Sequence, residues 1–244
     1  ASSGSSNTSG YRNTFLGNVC GNLNTTGFAN TFVGNVAGRN NTIGFRNTYI
    51  GNWAGFNNLD GKENVAIGDS AGFSNISGSG NVFLGHHAGF AETGSNKLYI
   101  ANDDGSINPP LVYGDFSTGS VGLGTTTPAA KLHVKGTSDP LQIMVENTGM
   151  NFKTGYVIKT AGKEWVIGQQ GFASNGFRIA DITLGFTRFQ IDPALGYVGI
   201  NTNTPGAMLD VAGTFTISGT NANELNRSQT GSANIVPVAY ANVS

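Results

Sequence analysis

The sequence predicts an all-β chain: a parallel β-solenoid, or β-roll, of 17-residue repeats, followed by further β-rich modules, the whole expected as an intertwined homotrimer. Three observations predict the fold. A signature recurs as Asn13-Thr-Phe-Leu-Gly, Asn30-Thr-Phe-Val-Gly, Asn47-Thr-Tyr-Ile-Gly, Asn64-Val-Ala-Ile-Gly and Asn81-Val-Phe-Leu-Gly, with one constant step from each Asn to the next. Two glycine columns run with it, Gly17, Gly34, Gly51, Gly68, Gly85 and Gly21, Gly38, Gly55, Gly72, Gly89, and mark two tight corners per repeat. The composition agrees: 37 glycines and 11% charged residues in 244 are unlike an ordinary globular enzyme, whereas 15 Phe and 7 Tyr carry more apolar surface than a disordered coil.

Residues 1–10 are expected as a linker, and 11–94 as the roll of five repeats. Between each signature Asn and Gly lie three residues of β-branched or aromatic character, enough for a short strand and too few for a helix. Such a unit buries little alone, but stacked coils pair their backbones in parallel and cover one another's side chains. Leu16, Val33, Ile50, Ile67 and Leu84 are always aliphatic and run with Cys20, Ala37, Ala54, Ala71 and Ala88, so both columns are assigned to the interior. Strand alternation then turns Phe15, Phe32, Tyr49, Ala66 and Phe83 outward. An aromatic stripe along the stacking axis suits copies packed about a threefold axis, which makes Phe15, Phe32, Tyr49 and Phe83 the candidate trimer-packing residues. The alternative is a flattened coil with both columns inside one chain. Asn13, Asn30, Asn47, Asn64 and Asn81 are expected as a structural ladder of side-chain amides bonding along the axis.

Beyond the roll, 95–137 reads as a β connector, 138–195 as a β module, 196–217 as a second connector, and 218–244 as the start of a further segment. The first connector carries Val121-Gly-Leu-Gly-Thr-Thr-Thr-Pro-Ala-Ala-Lys-Leu-His-Val, and the second its echo, Val198-Gly-Ile-Asn-Thr-Asn-Thr-Pro-Gly-Ala-Met-Leu-Asp-Val. In each, a glycine-containing strand meets a Thr/Pro turn and an alternating strand follows. The module holds strand-like runs at 142–146, 156–159, 164–168, 177–179 and 188–191, separated by turn-forming residues.

Charge and composition exclude several functions. With 13 basic and 14 acidic residues and no basic run, no nucleic-acid partner is expected. Apolar runs are short and broken by glycine, and the amino terminus has no signal-peptide pattern, so direct membrane insertion is not expected. Cys20 is the only cysteine, so no intrachain disulfide can form, and its column is otherwise Ala, which makes it a small packing residue.

No residue set reads as catalytic, cofactor-binding or metal-binding. His86-His87 would point to opposite faces of a regular strand and so could not share one metal; the pair reads as drift of the repeat, with a metal shared between chains as the alternative. Asn102-Asp-Asp-Gly-Ser starts like a calcium loop but lacks the later Glu of an EF-hand. Gly122-Leu-Gly-Thr-Thr-Thr is followed by Pro128 rather than by a phosphate-binding helix. Asp60, Glu63, Asp69, Glu92, Asp103, Asp104 and Asp115 are scattered, with no pair poised for catalysis, so the chain is expected not to be an enzyme. Tyr11, Phe28, Phe45, Trp53, Phe56, Phe73 and Phe90 could stack on sugars but read better as packing ladders. Thr14, Thr31 and Thr48 stack as in ice-binding solenoids, and the column then becomes Val65 and Val82.

The Asn-Thr-Phe-Leu-Gly-Asn-x-Ala-Gly units of residues 11 to 94 resemble the YadA-like head repeats of trimeric autotransporter adhesins and similar repeats in phage tail fibres. The resemblance implies a left-handed parallel β-roll in each chain and packing as a trimer, although the family's usual unit is shorter than the one in this chain. The Val121 and Val198 segments resemble the "VGIGT-x-x-P-x-x-x-L-x-V-x-G" segments of tail-fibre and surface-fibre proteins of Bacteroidota and their phages. The function this implies is a structural and adhesive fibre subunit, exposed outside the cell or on a virion or injection-system surface, presenting a receptor-binding tip to a cell-surface glycan or protein. The alternatives are a bacterial surface adhesin or matrix fibre, then a glycan depolymerase or an ice-binding solenoid. Both chain ends are expected to continue in a longer polypeptide.

Overall fold

The structure, a computed structural model, describes residues 2–103, 109–136, 143, 154–169 and 176–214. They are all-β, with no helix among the described residues. The chain divides into two compact units, Ala1–Met144 and Val145–Ser244.

The first unit is the predicted solenoid. Its strands β1 (Thr14–Leu16), β2 (Thr31–Val33), β3 (Thr48–Ile50), β4 (Val65–Ile67) and β5 (Val82–Leu84) pair in parallel, each residue facing its equivalent in the next repeat. The roll outruns its expected limits at both ends. Strand β6 (Lys97–Ile100) adds a sixth parallel rung, with Val82 facing Leu98. Residues 4–10, expected as a linker, already lie on the first coil: Gly4 N–H donates to the Cys20 carbonyl at 2.9 Å, and Ser6 N–H to that of Asn22 at 3.0 Å.

The corners are left-handed. Gly51 has φ of 137° and Gly55 of 58°, as expected for the two glycine columns. Two further corners carry side chains in the same region, at Val19, Val36, Trp53, Ser70 and His87 and at Arg12, Ala29, Arg46 and Glu63. A β-branched Val there costs about 1–3 kcal/mol. Bonds between coils hold it in place, as when Val36 N–H donates to the Asn18 carbonyl at 2.8 Å.

The side assignment of the strand columns is corrected by the structure. Phe32, Tyr49 and Phe83, expected at a trimer contact, are buried inside the coil with Ala66, and Phe15 is half-buried against them. The aliphatic ladder of Leu16, Val33, Ile50, Ile67 and Leu84, expected in the core, faces outward, with Leu16 66% exposed. The flattened coil with both columns inside is ruled out by the same exposures. The reason is steric. Each inward ring lies against the glycine of its own coil's corner, and a Cβ on Gly38 would sit 2.6 Å from the Phe32 ring. Glycine opposite an aromatic fills a narrow coil, and Cys20 and the alanines, all fully buried, close the remaining side. Phe32 and Tyr49 stack at 4.9 Å and 9°, geometry that adds about 0.5–1.5 kcal/mol to simple burial.

The rest of the interior is amide. Asn30, Asn47, Asn64 and Asn81 are buried as expected for a ladder, but they bond along the axis to backbone rather than to one another. Asn30 Oδ1 accepts the Asn47 N–H at 2.9 Å, and its Nδ2 donates to the Gly44 carbonyl at 2.8 Å. The amide-to-amide ladder exists one corner away: Asn24 donates to Asn7, Asn41 to Asn24 and Asn58 to Asn41, each at 2.8 Å. It stops at Asn58, because Asn75 donates to the Glu92 and Gly94 carbonyls instead.

After β6 the sheet turns antiparallel through β7 (Val112–Asp115) and β8 (Ser120–Leu123), then closes on β9 (Leu132–Val134), parallel to β8. Lys97 Nζ bonds Asp115 Oδ2 at 2.8 Å across the β6–β7 pair. That ammonium, with help from Ser117, holds the Asp115 carboxyl well below the usual carboxylate range. A folded value below the unfolded one, about 3.9, means the pair contributes stability above that pH and loses it as pH falls below. Amide exchange across β6–β7, corrected for intrinsic rate, should therefore stay protected from neutral pH to about pH 4 and loosen in more acid solution. Asp115→Asn should erase that acid step; an identical profile in the variant would contradict the assignment.

The second unit is a six-stranded sheet. Four strands predicted in the module form its meander, β10 (Thr154–Thr160), β11 (Lys163–Gln169), β12 (Phe177–Asp181) and β13 (Phe186–Ile191). Strand β14 (Val198–Ile200) pairs antiparallel with β13, and β15 (Leu209–Val211) parallel with β14. The two connector motifs thus fold alike: Val121 faces Leu132 and Val198 faces Leu209, a parallel return at the same spacing in both. Thr125 Oγ1 and Thr202 Oγ1 each accept the N–H two residues on, and His133 Nδ1 and Asp210 Oδ2 each accept the N–H four residues back. The expected strand at 142–146, apart from Ile143, and the segment 218–244 lie outside the described residues.

Candidate functional site

On each short strand the residues on either side of the buried one point outward, so the roll presents a sheet face of paired columns. Thr14, Thr31, Thr48, Val65, Val82 and Leu98 form one, and Leu16, Val33, Ile50, Ile67, Leu84 and Ile100 the other. Ile50, Ile67 and Ile100 are 37%, 40% and 36% exposed. The threonines occupy three rungs only, after which the face is wholly apolar. This in-register aliphatic stripe replaces the aromatic column as the exposed apolar feature of the strands.

The remaining aromatics form two partly exposed ladders at other corners. Tyr11, Phe28 and Phe45 stack at 5.0 and 4.7 Å, and Phe56, Phe73 and Phe90 at 5.3 and 5.0 Å, with Trp53 tilted against Phe56. Because neighbouring rings cover each other's faces, the ladders offer mainly ring edges to solvent, which favours packing over sugar stacking. Arg39 lies over Phe56, and Arg46 and Lys62 over Phe45.

A third polar ladder runs along an exposed corner and ends in the only group of three or more His, Cys, Asp or Glu ligand atoms among the described residues. Asn18 donates to Asn35, Asn35 to Asn52, and Asn52 Nδ2 to Asp69 Oδ1 at 2.7 Å. The carboxylate only accepts, so it closes the chain of donors. One coil on stand His86 and His87. They are not on a strand: β5 ends at Leu84, Gly85 has φ of 115° and His87 of 57°. That corner breaks the alternation expected of the pair and brings both rings to the same side, stacked at 4.0 Å and 15°. Both Nε2 atoms lie 3.9 Å from Asp69 Oδ2. The signal was in the columns. Asn18, Asn35 and Asn52 give way to Asp69 and His86, and Val19, Val36, Trp53 and Ser70 give way to His87, all at one corner of adjacent coils.

Other candidates are structural where they are described. Cys20 is fully buried, its Sγ 3.1 Å from the Phe32 carbonyl it donates to, and burial pushes its thiol up to about 11, which suits an inert packing residue. Asp115 is held by Lys97 and Ser117, and Tyr99 donates to Glu92 at 2.8 Å. Sequence reading missed Asp181, a carboxylate 2% exposed with Lys163 and Arg188 each at 3.8 Å. Gly122 lies within β8 and no helix follows it among the described residues. Residues 104–106 of the Asn102-Asp-Asp-Gly-Ser run lie outside the described residues.

No protein-family model matches the chain, and no curated protein matches it either.

Proposed function

We propose that the chain is a structural and adhesive fibre subunit, three copies of which pack about a threefold axis through the outward aliphatic face of the roll. The observation that carries this reading is the stripe of Leu16, Val33, Ile50, Ile67, Leu84 and Ile100, in register along one sheet face and partly open to solvent throughout. Isolated apolar residues on a surface need no explanation, but a continuous line of them marks a contact. A stripe parallel to the stacking axis lets identical chains run side by side, each burying the same columns. Three such rolls side by side make a stiff bundle, and an assembly carrying three weak sites binds a cell-surface glycan or protein by avidity.

The roll's other features support a passive role. Its bonds satisfy most backbone and amide groups within and between coils, Asn58 Oδ1 and Asn75 Oδ1 being buried without a partner, and Glu63, Asp69, Glu92 and Asp115 are engaged in ladders, hydrogen bonds and ion pairs. The setting proposed is extracellular or on a virion or injection-system surface, with a bacterial surface adhesin as the neighbouring possibility.

Replacing Ile50 and Ile67 together by Glu tests the contact. Both side chains point away from the core, so each chain should keep its far-ultraviolet circular dichroism while the assembly falls to single chains in sedimentation velocity. An assembly unchanged by two buried charges would overturn the proposed face, since like charges brought together without partners cost several kcal/mol.

A further inference from the structure

We infer that Asp69, His86 and His87 form a binding site for a single divalent transition-metal ion, with Zn²⁺ as the reference ion, that ties the fourth coil to the fifth. Two imidazoles and one carboxylate are ligands that suit Zn²⁺ and its first-row neighbours. The ligand atoms all lie within 4.8 Å of one another, and each Nε2 is 3.9 Å from Asp69 Oδ2. A tetrahedral ion with bonds of about 2.1 Å holds its ligand atoms roughly 3.4 Å apart. Closing half an ångström on each His–Asp pair, and up to about 1.4 Å across the set as a whole, takes rotations of the exposed His86 and the half-buried Asp69 and His87.

The surroundings already set the ligands for this. Asn52 Nδ2 holds Asp69 Oδ1 at 2.7 Å, and Oδ2, which accepts from Ser70 Oγ at 3.2 Å, keeps a further lone pair toward the histidines. His86 Nδ1 lies 3.4 Å from the Asn102 carbonyl, a partner that favours the proton on Nδ1 and the lone pair on Nε2. Such outer contacts orient a metal-bound imidazole and fix its tautomer. His87 is held by the left-handed corner and by Phe90, whose ring is 5.0 Å away. Three protein ligands at an exposed corner leave room for water on the ion. The role that follows is mechanical: a metal cross-link between coils added to the hydrogen bonds and ring stacks that already join them, stabilising the folded roll by an amount that grows with the logarithm of the free ion concentration above Kd.

The test is calorimetric titration of the full chain with zinc chloride, beside a His86→Asn/His87→Ser variant. Asn52 and Ser70 occupy the equivalent positions of earlier coils, with φ of 55° at Ser70, so the variant's roll should form. The expected result is one Zn²⁺ per chain, a raised melting temperature, and affinity reduced at least about tenfold by Asp69→Asn and lost in the double variant. Long-range ¹H–¹⁵N spectra should show Nε2 of His86 and His87 shifting on zinc addition while His133 does not. Absence of saturable binding, or binding that survives in the double variant, would overturn the site.

Discussion

Phe32→Ala is expected to destabilise the roll by about 3–5 kcal/mol, because it empties a fully buried ring site in a core only one aromatic wide. The ring contacts more than its own coil. It stacks on Phe15 at 5.3 Å and Tyr49 at 4.9 Å, and the residue's carbonyl receives the Cys20 thiol. Neighbouring backbones are fixed by hydrogen bonds between coils, so the cavity has little freedom to collapse. Leu16→Ala, on the outward ladder and 66% exposed in the single chain, is expected to cost that chain's fold under about 1 kcal/mol, both variants being made in the Ile50→Glu/Ile67→Glu background so that loss of the proposed contact does not add to it. Urea unfolding of the two variants measures both, and a larger loss for Leu16 than for Phe32 would restore the opposite side assignment.

Gly51→Ala is expected to be as damaging, at about 3 kcal/mol or more. Its φ of 137° is a region that L side chains rarely adopt, and a Cβ there would press on the Gly68 carbonyl of the next coil. That neighbour is backbone held in the ladder, where Gly68 N–H donates to Ile50 at 2.8 Å, so relief requires two coils to separate. Gly80→Ala is the control. Its φ of 67° is also left-handed, but Ala29 already occupies the same column at 54°, and the nearest obstacle is the movable Asn96 side chain. Thermal melts should show a large loss for Gly51 and a small one for Gly80. Equal losses would mean that conformational preference alone, rather than coil spacing, sets the glycine pattern.

These contrasts explain what the sequence made legible. A fixed period with two glycine columns specifies stacked coils, since only a parallel ladder places residues 13, 30, 47, 64 and 81 in equivalent settings. The four module strands and the shared form of the two connectors were legible for the same reason, alternation and turn chemistry being local. Sidedness was not. Alternation separates Phe32 from Val33 without saying which is inside, and the deciding fact is contact between Phe32 and Gly38, six positions apart across a corner. The histidine pair was hidden by the same local rule. Alternation holds on a strand, whereas His87 sits at a left-handed corner whose other occupants, Val19, Val36 and Trp53, give no hint of glycine-like backbone. The part of the first coil at residues 4–10 lacks the strand signature and is held by backbone and Asn7, features that carry no apolar pattern.

The central claim is that the outward aliphatic ladder is a contact between copies of this chain, and it is most directly tested by the solution mass of the purified protein. Light scattering coupled to small-angle X-ray scattering should give a particle with the mass of three 25.2 kDa chains. A stable particle with the mass of one chain at micromolar concentration, its isoleucines open to solvent, would contradict it.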